Sequence, residues 1–152
     1  MKKFIHKVAV LGSGVMGSRI ACHFANAGCE VLLLDIVPKT LSEAETAKGL
    51  TLESKAVRSR IAREDLKLAI KSNPSPIYKK EFASRIQTGN FEDDMAKIES
   101  CDWIIEVVIE NLNIKKQVFE NLEEYHFLFY GLSIYEYLGI KREGLESVPK
   151  NQ

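Results

Sequence analysis

Several features are scarce or absent in this sequence of 152 residues, and each absence excludes a class of protein. Neither sign of charge is in excess, since 21 Lys and Arg residues balance 21 Asp and Glu residues. A surface for nucleic acid or an anionic membrane is therefore not expected. The three cysteines, Cys22, Cys29 and Cys101, are odd in number and lack CxxC spacing. This argues against a disulfide framework or a metal site, and predicts small buried residues in a reducing compartment.

Long apolar runs are also missing. The longest candidate, residues 127–140, contains Glu136 and falls short of the roughly 18 residues that a membrane-spanning helix needs. The first twelve residues have a charged start but too short an apolar run for a signal peptide, so we predict a strand there. These absences favour a cytoplasmic protein without membrane contacts.

What is present is the composition of an ordinary globular protein, 45% apolar and 28% charged. Residues 6–12 and 29–35 have the near-continuous apolar pattern of strands buried on both faces. Residues 15–27 between them have helical periodicity. A strand, helix and strand in this order predict a parallel pair joined by a right-handed crossover.

The pattern continues to residue 124. Residues 36–73 are predicted to be largely helical, with Thr40 or Ser42 as a cap and the longest helix at about 52–71. Further elements are predicted as strands at 84–91 and 102–110 and helices at 92–100 and 111–124. We therefore predict an α/β, Rossmann-like parallel sheet of order 3-2-1-4, with a helical insert between strands 2 and 3. Residues 1–124 would form this domain; residues 125–152 have no clean period, so a cover for a sheet edge and disorder both stay open.

Three glycines, Gly12, Gly14 and Gly17, spell GxGxxG at the join of the first strand and helix. In such a turn the first glycine permits the tight bend, the second lets a pyrophosphate approach the backbone, and the third lets helix and strand pack closely. The free N–H groups and the positive dipole at the helix start would hold the phosphates. The motif therefore predicts a dinucleotide site.

An acidic residue, Asp35, ends the second strand eighteen residues after Gly17. Its carboxylate can accept hydrogen bonds from the adenosine ribose and would repel the 2′-phosphate of NADP, for which Ile36 supplies no cation. This favours NAD. The alternative is that Asp35 is a solvated turn residue and the glycines serve packing only.

Two segments, VAVLGSGVMGSRIACHFANAGCEVLLLD and CDWIIEVVIENLNIKKQVFE, carry a family resemblance. Over about residues 3–125 the chain resembles the NAD-binding domain of the 3-hydroxyacyl-CoA dehydrogenases, in particular the bacterial multifunctional fatty-acid β-oxidation type. The resemblance implies NAD as cofactor and an acyl-CoA as substrate of the full-length family. The cofactor contacts it implies are Gly12, Gly14, Val15, Met16, Gly17 and Asp35 around the adenosine and pyrophosphate, and Val108, Ile109, Glu110 and Lys115 around the nicotinamide. Without the family, Glu110 and Lys115 could equally be a surface pair at a helix start.

The family's catalytic serine, asparagine and histidine belong to later segments, and this chain has EEYHFLFYGLSIYEYLG where the first of them is expected. His126 only faintly echoes the histidine context. We therefore expect an apparently truncated NAD-binding domain that contains no catalytic residue and is not competent alone. Two alternatives are a non-enzymatic binding module, whose partner chain supplies the missing half, and a small reductase of another Rossmann family.

Basic residues of the insert offer one more interpretation. They could form an edge for the phosphates of coenzyme A, although acidic residues interleave with them and a solvated face is favoured. These residues are Lys55, Arg58, Arg60, Arg63 and Lys67.

Overall fold

A computed structural model describes residues 4–108, which form one parallel sheet with helices on both faces. The four strands are ordered β3-β2-β1-β4, as the sequence predicted. The strands are β1 (Lys7–Leu11), β2 (Glu30–Asp35), β3 (Ile86–Asn90) and β4 (Trp103–Glu106). The helices are α1 (Val15–Asn26), α2 (Glu43–Ala47), α3 (Lys55–Arg58) and α4 (Arg60–Lys71), with two 3₁₀ helices at Lys80–Arg85 and Met95–Ser100.

The strand register places three chain segments together at one sheet edge. Leu11 of β1 lies opposite Leu34 of β2 on one side and Glu106 of β4 on the other. Because the strands are parallel, their carboxyl ends all meet at this edge, where ligands of open α/β sheets bind. The glycine turn leaves β1 at that point.

Both sheet faces are covered, which explains why the central strands are apolar throughout. On one face of the sheet, Val8, Val10 and Leu33 pack against α1 and α4. On the other face, Leu11 and Leu34 pack against Ile98 of the second 3₁₀ helix. All three cysteines are buried and free, which confirms the prediction that they are small core residues.

The insert between β2 and β3 differs from its prediction. Ser42 caps α2, with a reciprocal capping box to Glu45, so the predicted cap is confirmed there. The prediction of a single helix at about 52–71 was wrong, because the chain forms two helices, α3 and α4, with a break at Ser59. Just before the break, Val57 is fully buried and Arg58 donates to Asp93, and helical periodicity specifies neither contact.

Element ends also shift. The third strand begins at Ile86 and not at Ser84, since Ser84 belongs to a 3₁₀ helix, where its hydroxyl donates to the carbonyl of Glu81. The fourth strand ends at Glu106. Ile109, Glu110, Lys115, His126, the predicted helix at 111–124 and the tail at 125–152 lie outside the described residues. Across residues 4–108, no helix combines the length and apolar character needed to cross a membrane.

Candidate dinucleotide site

Two of the three motif glycines are required by the backbone itself. Gly12 has φ +106°, and a Cβ there would lie 2.8 Å from the carbonyl oxygen of Val107. A Cβ on Gly17 would lie 1.7 Å from the carbonyl oxygen of Gly12. The turn therefore bends sharply, and α1 packs closely against the end of β1 and the turn, as the glycine spacing predicted.

Gly14 differs, because nothing in the described structure lies within 4 Å of a Cβ built on it. It is the residue before α1, and no side chain among residues 4–108 caps this helix start. The first N–H groups of a helix have no acceptor within the helix, and the helix dipole is positive at this end. An anion can therefore approach the backbone here. Val15 and Met16, which follow, are 79% and 57% exposed.

Asp35 is fixed beside this turn by three hydrogen bonds. The main-chain N–H and the hydroxyl of Ser13 donate to its Oδ2 atom, both at 2.6 Å. The N–H of Ile36 donates to its Oδ1 atom at 2.7 Å. Because a carboxylate has about four acceptor positions, these donors leave Oδ1 with one for a ligand. The carboxylate is thus held at the glycine turn rather than in solvent.

A second carboxylate reaches the same turn, which the sequence analysis missed. Asp65 of α4 has its Oδ2 atom 2.8 Å from the hydroxyl oxygen of Ser13. Helix α4 packs along α1, and Arg19 of α1 donates to Ser72 at the end of α4. Locally, Asp65 is one acid in a charged helix, so no signal in the sequence separates it from its neighbours.

The end of β4 forms the other wall of the turn. The N–H of Val107 donates to the carbonyl of Leu11 at 2.9 Å, and the N–H of Val108 donates to Oε1 of Glu106 at 2.8 Å. Val108 therefore lies at the carboxyl edge, where the resemblance placed it. The other residues predicted for the nicotinamide side follow it in the chain, beyond the described part.

Two basic residues of the insert, Arg58 and Arg60, bind acidic residues. Arg58 bonds Asp93 at 2.6 Å and Glu92 at 2.7 Å. Its hydrogen bond, followed by that of Asn90, holds the pKa of Asp93 below its usual value. Arg60 pairs with Glu45 and also donates to the carbonyl of Thr40. These two arginines lie in ion pairs that hold the insert in place, which does not support an edge for coenzyme A phosphates.

Comparison with known proteins gives consistent matches. The family model described as "3-hydroxyacyl-CoA dehydrogenase, NAD binding domain" matches residues 7–127. A probable 3-hydroxyacyl-CoA dehydrogenase of Bacillus subtilis is 53% identical over 125 residues, which are 82% of this chain and 16% of that protein. A protein of the same description from Deinococcus radiodurans is 38% identical over 120 residues, 79% of this chain and 31% of that protein.

A solved diketoreductase structure, titled for its dual catalysis of dicarbonyl compounds, has the same fold. It superposes with a TM-score of 0.51 at 24% identity and covers 82% of this chain and 39% of that one. The chain spans less than a third of the length of the Bacillus subtilis protein and of the Deinococcus radiodurans protein.

Proposed function

Because the chain belongs to the 3-hydroxyacyl-CoA dehydrogenase family, as its NAD-binding domain, we propose that the glycine turn and Asp35 form its site for NAD. Membership of this family argues against the alternative that the chain is a small reductase of another Rossmann family. The observation that carries the proposal is the position at Gly14, which the described residues leave open and uncapped at the start of a helix. A pyrophosphate needs both features.

Each part of the site has a separate role. The N–H groups at the start of α1 bind the linked phosphates, and Gly14 gives them room. The Oδ1 atom of Asp35 accepts a hydrogen bond from the adenosine ribose. Val108, and beyond it Ile109, Glu110 and Lys115, line the nicotinamide side. The role of each residue rests on its position at the carboxyl edge or on the family resemblance.

The reaction we propose for the whole protein is oxidation of a 3-hydroxyacyl-CoA in fatty-acid β-oxidation, in the cytoplasm. When bound, NAD supplies the acceptor for the hydride. The reaction also needs a base at the hydroxyl group. Of the described histidines, His6 precedes β1 at the opposite sheet edge and His23 lies in the last turn of α1. We propose that the base and the acyl-CoA site come from outside the chain of 152 residues, in further polypeptide or in a partner chain.

Two assays on the chain of 152 residues test this proposal. Calorimetric titration with NAD is expected to show one site per chain. Addition of NADH and acetoacetyl-CoA is expected to give no oxidation of NADH, while an active 3-hydroxyacyl-CoA dehydrogenase serves as control for the reagents. Absence of NAD binding would contradict the assigned site, and steady turnover would contradict an external base.

A further inference from the structure

Helix α4 of the insert brings a second acid to the glycine turn. The hydroxyl oxygen of Ser13 lies 2.6 Å from Oδ2 of Asp35 and 2.8 Å from Oδ2 of Asp65. Ser13 is fully buried between Gly12 and Gly14, so its position is fixed by the turn. Two carboxylates from distant parts of the chain therefore converge on one hydroxyl group.

We propose that Asp65 is a specificity-determining residue of the dinucleotide site, which disfavours a phosphate on the 2′-hydroxyl of the adenosine ribose. This inference rests on the proposed function, because it requires the ribose to lie at Asp35. It goes further in assigning part of the choice between NAD and NADP to the helical insert.

The shared hydroxyl of Ser13 holds Asp65 next to Asp35. A serine hydroxyl carries one hydrogen and donates to one carboxylate at a time. Its oxygen lies within 2.8 Å of both carboxylates whichever one it donates to. Asp65 is therefore placed beside the acid that we assign to the ribose.

The charge at Asp65 disfavours a phosphate on the 2′-oxygen of the ribose. A phosphate on the 2′-oxygen would carry its negative charge towards two carboxylates instead of one, and like charges within a few ångströms repel appreciably even near solvent. The arginines of the insert do not offset this charge. Arg58 and Arg60 are paired with acids, and Arg63 donates to the carbonyl of Ala56.

Calorimetric titration of NAD and NADP into three proteins tests the inference: the wild type, Asp65→Asn and Glu64→Gln. Asp65→Asn removes the charge but keeps an oxygen acceptor for Ser13. It should raise the affinity for NADP relative to NAD by roughly five- to tenfold at low salt. Glu64 is the adjacent, exposed acid on α4, so Glu64→Gln changes the net charge equally and should leave the ratio unchanged. The difference should shrink in 0.5 M NaCl.

Ser13→Ala separates charge from the hydrogen-bond link. It removes the shared hydroxyl but leaves both carboxylates, so it should keep the NAD preference. The inference would be overturned if Asp65→Asn and Glu64→Gln had the same affinity for NADP relative to NAD. It would also be overturned if Ser13→Ala lost as much of the preference for NAD as Asp65→Asn does. If the wild type binds no NAD, both the proposed function and this inference are wrong. If the wild type prefers NAD but Asp65→Asn leaves the preference unchanged, only this inference is wrong.

Discussion

The three glycines of the turn differ in what a side chain would meet. At Gly12 and Gly17 the obstacle is the protein's own backbone. At Gly14 no atom of residues 4–108 lies within 4 Å of an added Cβ, and φ is −47°, outside the left-handed region that favours glycine. The described fold therefore does not require glycine at position 14, which supports our proposal that the missing side chain there makes room for a ligand.

The substitution Gly14→Asp separates these two roles. Aspartate is a good N-cap, and a negative charge is favourable at a helix start, so the free energy of unfolding should stay the same or rise by up to about 1 kcal/mol. The same carboxylate would oppose the pyrophosphate, and affinity for NAD should fall at least roughly tenfold. Urea unfolding and calorimetric titration measure the two effects.

The control for this prediction is Gly17→Ala. Its Cβ would meet the carbonyl oxygen of Gly12 at 1.7 Å, so it should lower the free energy of unfolding by roughly 3 kcal/mol. If Gly14→Asp binds NAD as tightly as the wild type, the pyrophosphate does not lie at Gly14.

At the scale of elements, an ion-pair cluster connects the insert to the loop after β3. Arg58 at the end of α3 contacts Asp93, Glu92 and Glu53, and its side chain is only 16% exposed. Asn90 at the end of β3 also donates to Asp93, at 2.8 Å. The cluster holds α3 in place. Because only Ser59 separates α3 from α4, the position of α3 also restricts where α4 and its Asp65 can lie.

The Arg58 cluster predicts a pH dependence of stability. The pKa of Asp93 is lowered in the folded state, mainly by the hydrogen bond from Arg58. Its contribution is therefore complete above the unfolded-state pKa of about 4 and is lost as the pH falls through the lower folded-state pKa. Arg58→Gln should lower the urea midpoint at pH 7 and lose less stability than the wild type between pH 5 and pH 3.

Arg63→Gln provides the matched control for Arg58→Gln. Arg63 is exposed, and the one hydrogen bond of its side chain within residues 4–108 goes to a main-chain carbonyl, so the pH profile should remain that of the wild type. A gap between wild type and Arg58→Gln that is as wide at pH 3 as at pH 7 would contradict the role given to Asp93.

The elements that could be predicted from the sequence are those with local signals. Apolar runs locate β1 and β2, and the glycine spacing locates the turn between β1 and α1. The insert could not be predicted in the same way. Asp65 and Ser13 are 52 positions apart, and their contact depends on how α4 packs against α1. No periodicity in residues 36–73 encodes that packing.

At the scale of the whole molecule, we propose that the described residues form the cofactor side of a larger active site. The chain spans 16% and 31% of the two curated relatives. The sheet edge where β1, β2 and β4 end holds the glycine turn, Asp35, Asp65 and Val108 together. Cofactor choice can therefore be measured on this chain directly, since the residues assigned to the adenosine are all within it.

The central claim is that the glycine turn holds the phosphates while Asp35 holds the adenosine ribose. Calorimetric titration of NAD and NADP into the wild type and Asp35→Ala tests it most directly. We expect the wild type to bind NAD more tightly than NADP and Asp35→Ala to lose that preference. Equal affinities in the wild type, or an unchanged preference in Asp35→Ala, would contradict the account.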